Sequence, residues 1–142
     1  MKTEAGAIAP GETMTYLVDS DHVADYLKGQ RRAVEFLDEL LPEGLAISII
    51  TYAEVYEGIY YGQERPRHET GFREFLDGVT VLGITRSVAR QFALLRGNLR
   101  AKGQLIGQTD LLIATTAIQH NLTLMTRNLK DFERIPDLKI YH

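Results

Sequence analysis

The sequence contains no cysteine among its 142 residues. This absence excludes disulfide bonds, thiolate catalysis, cysteine-based zinc sites and iron–sulfur clusters. No apolar run approaches the roughly 20 residues that a membrane helix needs, and the first fourteen residues lack the apolar core of a signal peptide. These absences predict a soluble, cytoplasmic protein that does not associate with a membrane.

The sequence patterns of several enzyme classes are also missing. Ser20 and Ser48 lack the Gly-x-Ser-x-Gly surroundings of a nucleophilic serine. Gly103 and Gly107 are not followed by the lysine of a phosphate-binding loop. The four histidines show no metal-ligand spacing. Nucleophilic serine chemistry, phosphate-loop nucleotide binding and histidine-based metal sites are therefore not supported.

The composition is that of a globular protein, with 44% apolar and 25% charged residues. The length predicts one domain that buries a substantial core. The net charge of -3 is unevenly distributed: residues 1–85 carry seven Lys and Arg against fifteen Asp and Glu, whereas residues 86–142 carry nine against four. This asymmetry fits a cluster of acids with a separate basic surface, or a mosaic of charges without a function.

Predicted strands alternate with predicted helices along the chain. The strands are expected at 15–18, 45–50, 79–84, 123–126 and 138–141, and the helices at 20–28, 31–41, 52–61, 72–76, 87–102 and 111–119. This alternation predicts an α/β fold, a three-layer α/β/α sandwich with a mostly parallel sheet of four to five strands. Residues 14–142 are expected to form a single domain. Residues 1–13 are expected to be a flexible N-terminal extension, so that Met14 is a possible true start.

Acidic residues follow the predicted strands at the positions where parallel sheets place their ligands. Asp19 ends the first strand, and Ser20 or Asp21 is better placed than Asp19 to cap the following helix. Glu54 follows the second strand. It also completes a Thr51-x-x-Glu pattern that is typical of a capping box, and the two roles are compatible.

Two further acids occur in the last third of the chain. Asp110 opens an apolar helix, a position that the helix dipole favours whether or not the residue has a function. Asp131 and Asn128 follow the fourth strand, where a simple turn is the structural alternative. Carboxylates at strand ends without histidine partners suit Mg²⁺ or Mn²⁺, which support phosphodiester hydrolysis.

Four arginines cluster on one side of the helix predicted at 87–102, three within the helix and one directly before it. They span an arc of about 120° and are Arg86, Arg90, Arg96 and Arg100. Such a stripe is able to bind phosphates or the acidic side chains of a partner, or it is only a solvated helix face.

Three segments resemble the PIN domain, and VapC-type toxins of bacterial toxin–antitoxin pairs in particular. They are YLVDSD at 16–21, ITYAEVYEGI at 50–59 and DLLIATTAIQHNLTLMTRNLKDFERI at 110–135. The resemblance covers about residues 16–135, and its last segment is the most specific. It implies a PIN-like fold and a metal-dependent endoribonuclease that acts as the toxin of such a pair.

The resemblance also implies roles for individual residues. Asp19, Glu54 and Asp110 match the family's Mg²⁺ or Mn²⁺ ligands. Many relatives have a fourth aspartate where this chain has Asn128, so that Asp131 becomes the expected fourth ligand. The supporting positions, which orient acids or water, are Ser20, Thr126 and Asn128, and Arg127 joins the four helix arginines as an expected RNA contact.

The expected partners follow from the same resemblance. They are an RNA substrate, a second copy of the chain, and a VapB-type antitoxin whose C-terminal segment places an arginine among the acids. A heterotetramer or a larger assembly is expected with the antitoxin. Two alternatives stay open: a catalytically silent module that binds RNA or antitoxin, and a phosphatase, since Asp19-Ser20-Asp21 resembles the first motif of haloacid-dehalogenase-type enzymes.

Overall fold

A central sheet of five parallel strands organises the computed structural model, which describes residues 14–141. The strand order is β3-β2-β1-β4-β5. The strands are β1 (Tyr16–Val18), β2 (Leu45–Ser48), β3 (Val79–Leu82), β4 (Thr123–Met125) and β5 (Lys139–Ile140). The predicted three-layer fold is confirmed, with every strand pair parallel.

Helices cover both faces of the sheet. They are α1 (Ser20–Leu27), α2 (Arg31–Leu40), α3 (Ile49–Tyr61), α4 (Arg65–Leu76), α5 (Arg86–Ala101), α6 (Gln108–Gln119) and α7 (Leu129–Phe132), with a 3₁₀ turn at Leu41–Glu43. Among the described residues, none of these helices is long and apolar enough to cross a membrane.

Side-chain alternation along the strands produces the two cores. Leu17 and Leu124 face the cluster that α5, α6 and α7 close, whereas Val18 and Met125 face the cluster that α1 to α4 close. Successive residues of a strand point to opposite faces of the sheet, so strands of three residues are sufficient to anchor both layers.

The winding of the sheet reverses at β1, which has β2 on one side and β4 on the other. Val18 pairs with Met125 in the parallel register, so that the residues directly after these two strands become neighbours. A crevice at such a reversal is where open α/β sheets bind ligands. The topology therefore brings together two chain segments that are far apart in the sequence.

The second strand is shorter than predicted, and the predicted capping box is wrong. The N-cap of α3 is Ser48, whose Oγ accepts a hydrogen bond from the Ile50 amide at 3.0 Å. Ile49 and Ile50 thus belong to the helix rather than to a strand over 45–50. Thr51 lies within the first turn, where its buried Oγ1 has no hydrogen-bond partner in the described part of the chain.

The start of α1 also differs from the prediction. Asp19, not Ser20 or Asp21, is the N-cap, because its Oδ1 accepts a hydrogen bond from the Ser20 amide at 2.8 Å. A single carboxylate therefore ends the strand and begins the helix. It keeps its second oxygen for other partners.

Other helix boundaries differ from the predicted ones by a few residues. Helix α6 begins at Gln108, so Asp110 lies in its first turn rather than at its opening. Helix α4 begins seven residues before the predicted position, and α7 occupies the segment in which a turn was the alternative. The expected flexible extension at 1–13 lies outside the described residues.

Candidate active site

The most enclosed functional side chain is Asp19, which is 6% exposed. The Thr126 hydroxyl, which follows β4, donates a hydrogen bond to Asp19 Oδ2 at 2.8 Å. Burial raises the pKa of Asp19 above its ordinary value, and the hydrogen bonds from Thr126 and Ser20 oppose that rise. The carboxylate is therefore held in one orientation in a place where its charge is poorly solvated.

Glu54 and Asp110 lie close enough to Asp19 for its charge to contribute to their pKa values. The pKa of Glu54 is raised first by desolvation and then by the charges of Asp19 and Asp110, while hydrogen bonding from Ser20 lowers it. The pKa of Asp110 is raised first by desolvation and then by Asp19 and Asp131. The structure thus gathers the four predicted acids into one repelling cluster.

Asn128 occupies the place next to two of these acids. Its Nδ2 lies 3.4 Å from Asp110 Oδ2 and 3.5 Å from Asp131 Oδ2. Its backbone amide donates to Thr126 Oγ1 at 3.1 Å, so the same hydroxyl that orients Asp19 also fixes this turn. Asn128 supports the acids as an amide donor and does not add a carboxylate.

Arg127 has partners within the protein. Its Nη1 lies 2.9 Å from Asp25 Oδ2, and its Nε lies 3.6 Å from Asp21 Oδ2. Its backbone amide also donates to Asp21 Oδ2 at 3.0 Å. The structure therefore places Arg127 as a link between α1 and the turn after β4, although its side chain remains 59% exposed.

The arginines of α5 do not join the acids. Arg86, Arg90 and Arg100 are exposed, and no hydrogen bond or ion pair in residues 14–141 connects them to another side chain. Arg96 is half-buried, and its Nη1 is enclosed without a hydrogen-bond partner within that same range. Three of the four arginines that are predicted to contact RNA are therefore accessible on α5.

The cluster suits a divalent cation by its charge and its donors. Desolvation and the neighbouring negative charges raise the pKa of Glu54 and of Asp110, and a cation would relieve this repulsion. The hard oxygens of the carboxylates match Mg²⁺ and Mn²⁺. Within the described residues, however, no three His, Asp or Glu side chains already form a metal-binding group. The fit therefore rests on charge and chemistry and requires side-chain rotation.

A groove of about 400 Å³ opens beside the acids. Helices α1 and α3 form its walls with one residue of α4, and its lining includes Ser20, Leu27, Lys28, Glu54, Gly58 and His68. Sequence analysis missed Lys28, Gly58 and His68, because no motif connects them. Only their positions before glycines set the two polar residues apart in the sequence: Lys28 directly precedes Gly29, and His68 lies three residues before Gly71.

The family model of the PIN domain matches residues 16–138. The chain therefore belongs to the PIN domain family. This membership replaces the haloacid-dehalogenase alternative.

Within that family the chain is similar to proteins named ribonuclease VapC. It is 36% identical over 132 residues to ribonuclease VapC1 of Methanocaldococcus jannaschii, covering 92% of this chain and 89% of the relative. The crystal structure of VapBC2 from Rickettsia felis, bound to a DNA fragment from the promoter, superposes with a TM-score of 0.82 at 30% identity, over 90% of this chain and 98% of that one. VapBC-1 from nontypeable Haemophilus influenzae gives 0.77 at 31% identity, over 90% and 97%.

Proposed function

We propose that this protein is a metal-dependent endoribonuclease and the toxin of a VapBC-type toxin–antitoxin module. The observation that carries the proposal is the convergence of Asp19, Glu54 and Asp110 after β1, after β2 and in the first turn of α6, where desolvation and then the charge of Asp19 raise the pKa of the other two. The names of the relatives support ribonuclease activity.

The acids divide the work of phosphodiester hydrolysis. Asp19, Asp110 and Asp131 would hold Mg²⁺ or Mn²⁺, which supplies activation of water and stabilisation of charge on the phosphate. Glu54, whose pKa is raised, accepts a proton from the attacking water. The water oxygen bonds to phosphorus as the bond from phosphorus to the leaving oxygen breaks, and the proton that Glu54 accepted passes on, directly or through water, to that oxygen.

The remaining site residues orient this machinery. Thr126 fixes Asp19, Ser20 hydrogen-bonds with Glu54, and Asn128 bridges Asp110 and Asp131. The arginines of α5 would contact backbone phosphates outside the cluster.

The test is cleavage of a total-RNA preparation by purified protein, with Mn²⁺ or with EDTA. We expect discrete fragments that require Mn²⁺ and disappear in Asp110→Asn. The control variant Asp77→Asn removes an exposed acid at the end of α4 and should cleave normally. Undiminished cleavage by Asp110→Asn, or in EDTA, would contradict the proposed mechanism.

We also propose a VapB-type antitoxin and a second copy of this chain as partners, because the similar structures are VapBC complexes. Light scattering during size-exclusion chromatography should give the mass of a homodimer for the protein alone. With antitoxin it should give a heterotetramer or a larger assembly. A monomer that ignores the antitoxin would contradict this part.

A silent module that binds RNA or antitoxin is the second candidate, and the amide of Asn128 among the acids favours it. Calorimetric titration with Mn²⁺ separates the two functions. Binding at millimolar concentration supports the nuclease, whereas no binding together with no cleavage supports the silent module.

A further inference from the structure

The groove beside the acids has an acidic end and a basic end, and the proposed chemistry does not use the basic end. Its inner end is formed by Ser20 and Glu54, and its outer end by Lys28 and His68. A second cavity of about 330 Å³ shares Lys28, Gly58 and His68 and continues towards Gly62. The groove therefore extends from the acid cluster past a basic rim.

Most of the other charges along this path are already neutralised. Asp21 pairs with Arg127, and Glu64 pairs with Arg67 at 3.0 Å. Lys28 is exposed, and its ammonium group has no ion pair or hydrogen bond with any residue in 14–141. An anion at the outer end would therefore meet an unpaired cation.

The floor of the groove is apolar and leaves space. Leu27, Val55 and Ile59 line it, and a Cβ at Gly58 would meet no heavy atom within 4 Å. The volume lies in the range of about 300–1,000 Å³ that is typical of small-ligand sites. Gly58 lies four residues after Glu54 along α3, a rise of about 6 Å, a distance that one nucleotide step can span.

The packing of α4 on α1 forms this outer end. A Cβ at Gly71 would lie 3.4 Å from Leu27 Cδ2, so the glycine permits a close approach of the two helices. This approach holds His68, one turn before Gly71, beside the end of α1 where Lys28 follows. The basic rim is thus built by rigid helices and not by a loop.

We propose that this groove is an RNA subsite, in which Lys28 and His68 bind the phosphate next to the one that is cleaved, and the apolar floor accommodates the intervening nucleoside. The inference rests on the proposed ribonuclease function and adds positioning residues to it. RNA is favoured over an acidic peptide because the groove joins a basic rim to acids that would bind a cation, and a polynucleotide backbone offers successive phosphates to both.

The charge arm of the test uses the Asp110→Asn protein in Mg²⁺, so that RNA is bound without being cut. The probe is a short fluorescein-labelled single-stranded oligoribonucleotide of random sequence. Lys28→Gln should weaken binding roughly two- to fivefold, as expected for an exposed ion pair. It should also reduce the slope of log Kd against log salt concentration by about 0.7, the value for one neutralised phosphate.

The control for charge is Arg32→Gln, which removes an exposed cation of α2 that does not line the groove. It should leave both the affinity and the salt slope unchanged. If the effect came only from the change in net charge, Lys28→Gln and Arg32→Gln would reduce the salt slope equally. That result would overturn the subsite.

The steric arm uses Gly58→Leu and Gly58→Ala. Both substitutions favour the helix over glycine by similar amounts, so the melting temperature should not fall in either. Only the leucine fills the groove. It should weaken RNA binding, with Gly58→Ala between it and the parent.

The outcomes separate this inference from the proposed function. If groove variants weaken RNA binding while the parent with Asp110 intact cuts no RNA, the groove binds RNA as inferred and the proposed nuclease function is wrong. If the parent cuts RNA and the groove variants bind and cut as the parent does, the subsite is wrong. Groove variants that bind RNA normally but no longer bind a VapB-type antitoxin would also overturn it, because the groove would then serve only the protein partner.

Discussion

Thr126 Oγ1 lies 2.8 Å from Asp19 Oδ2, although 107 residues separate the two in the sequence. The contact exists because β1 and β4 are parallel neighbours and both end at the same level. It connects the most enclosed acid of the site to the turn that carries Asn128 and leads to Asp131.

Replacing this hydroxyl should shift the ionisation of the acid. Thr126→Val keeps the shape and removes a hydrogen bond that lowers the pKa of Asp19, so that pKa rises. RNA cleavage should then require higher pH, and urea unfolding near pH 7 should show a loss of about 1–3 kcal/mol in the free energy of unfolding. Thr126→Ser retains the donor and should stay near the parent in both measurements. An unchanged pH profile in Thr126→Val would contradict the role.

Neutralising Asp110 should stabilise the metal-free protein. Folding raises the pKa of Asp110, so this carboxyl binds its proton more tightly in the folded state. Its contribution to stability therefore falls as the pH rises from the ordinary carboxyl pKa through the raised pKa of the folded state. In EDTA, Asp110→Asn should melt at a higher temperature than the parent near neutral pH. The advantage should disappear at acidic pH, below the ordinary carboxyl pKa.

The same pair of proteins tests the metal. Added Mn²⁺ should raise the melting temperature of the parent, since a ligand that binds only the folded state stabilises it. Asp110→Asn should show little of this response. A lower melting temperature of the variant in EDTA at neutral pH would show that Asp110 is not held under repulsion.

Adding a fourth carboxylate at position 128 should strengthen both the repulsion and the metal affinity. In Asn128→Asp a charge replaces the amide that lies 3.4 Å from Asp110 and 3.5 Å from Asp131. We expect tighter Mn²⁺ binding by calorimetry and a lower melting temperature in EDTA. Asn128→Ala, which removes the amide without adding charge, should not bind Mn²⁺ more tightly. Equal Mn²⁺ affinity in parent and Asn128→Asp would exclude residue 128 from the metal's surroundings.

Arg127 should act mainly through its contacts within the protein. Because the Arg127 side chain is 59% exposed, although Asp25 is only 14% exposed, a double-mutant cycle of Arg127→Gln and Asp25→Asn should give a coupling of about 1 kcal/mol in the free energy of unfolding, the upper end of the range for solvent-screened pairs. Arg127→Gln should lower the rate of cleavage more than RNA affinity, because the turn after β4 loses its attachment to α1. A pure loss of RNA affinity, without coupling, would restore the role that the sequence predicts for it.

The arginines of α5 should contribute to RNA binding through charge. Replacing Arg86, Arg90 and Arg100 together by glutamine should reduce the salt slope for single-stranded RNA by up to about 2, since each neutralised phosphate accounts for about 0.7. Mn²⁺ affinity should stay the same, because these side chains do not contact the acids. An unchanged slope would identify this stripe as a solvated helix face.

The sequence was sufficient to predict the layers of the fold and the acids that converge. Strands and helices alternate clearly, and parallel strands must end at one edge of the sheet, so Asp19 and Glu54 were predictable as neighbours. Asp110 does not follow a strand, and its place beside them was expected from the resemblance. The resemblance to the PIN domain was confirmed by a match that covers residues 16–138.

Local competition explains what the sequence did not predict. Ser48 and Thr51 are both good N-cap residues, and only tertiary packing, which buries Thr51, selects Ser48. Ser20, Asp21 and Asp19 compete in the same way. Lys28 and His68 lie on different helices, and no pattern along the chain reveals a groove that forms only when α4 packs on α1.

The pairing of β1 with β4, which lies late in the sequence, also has a consequence for the chain during translation. Every residue that lines the groove, from Ser20 to His68, is translated before Asp110, Thr126 and Asn128. Chains emerge from the ribosome with their N-terminal parts first. A growing chain therefore displays the residues of a binding surface while its cutting chemistry still lacks essential parts. Cleavage therefore requires that β4 has been translated and has paired with β1.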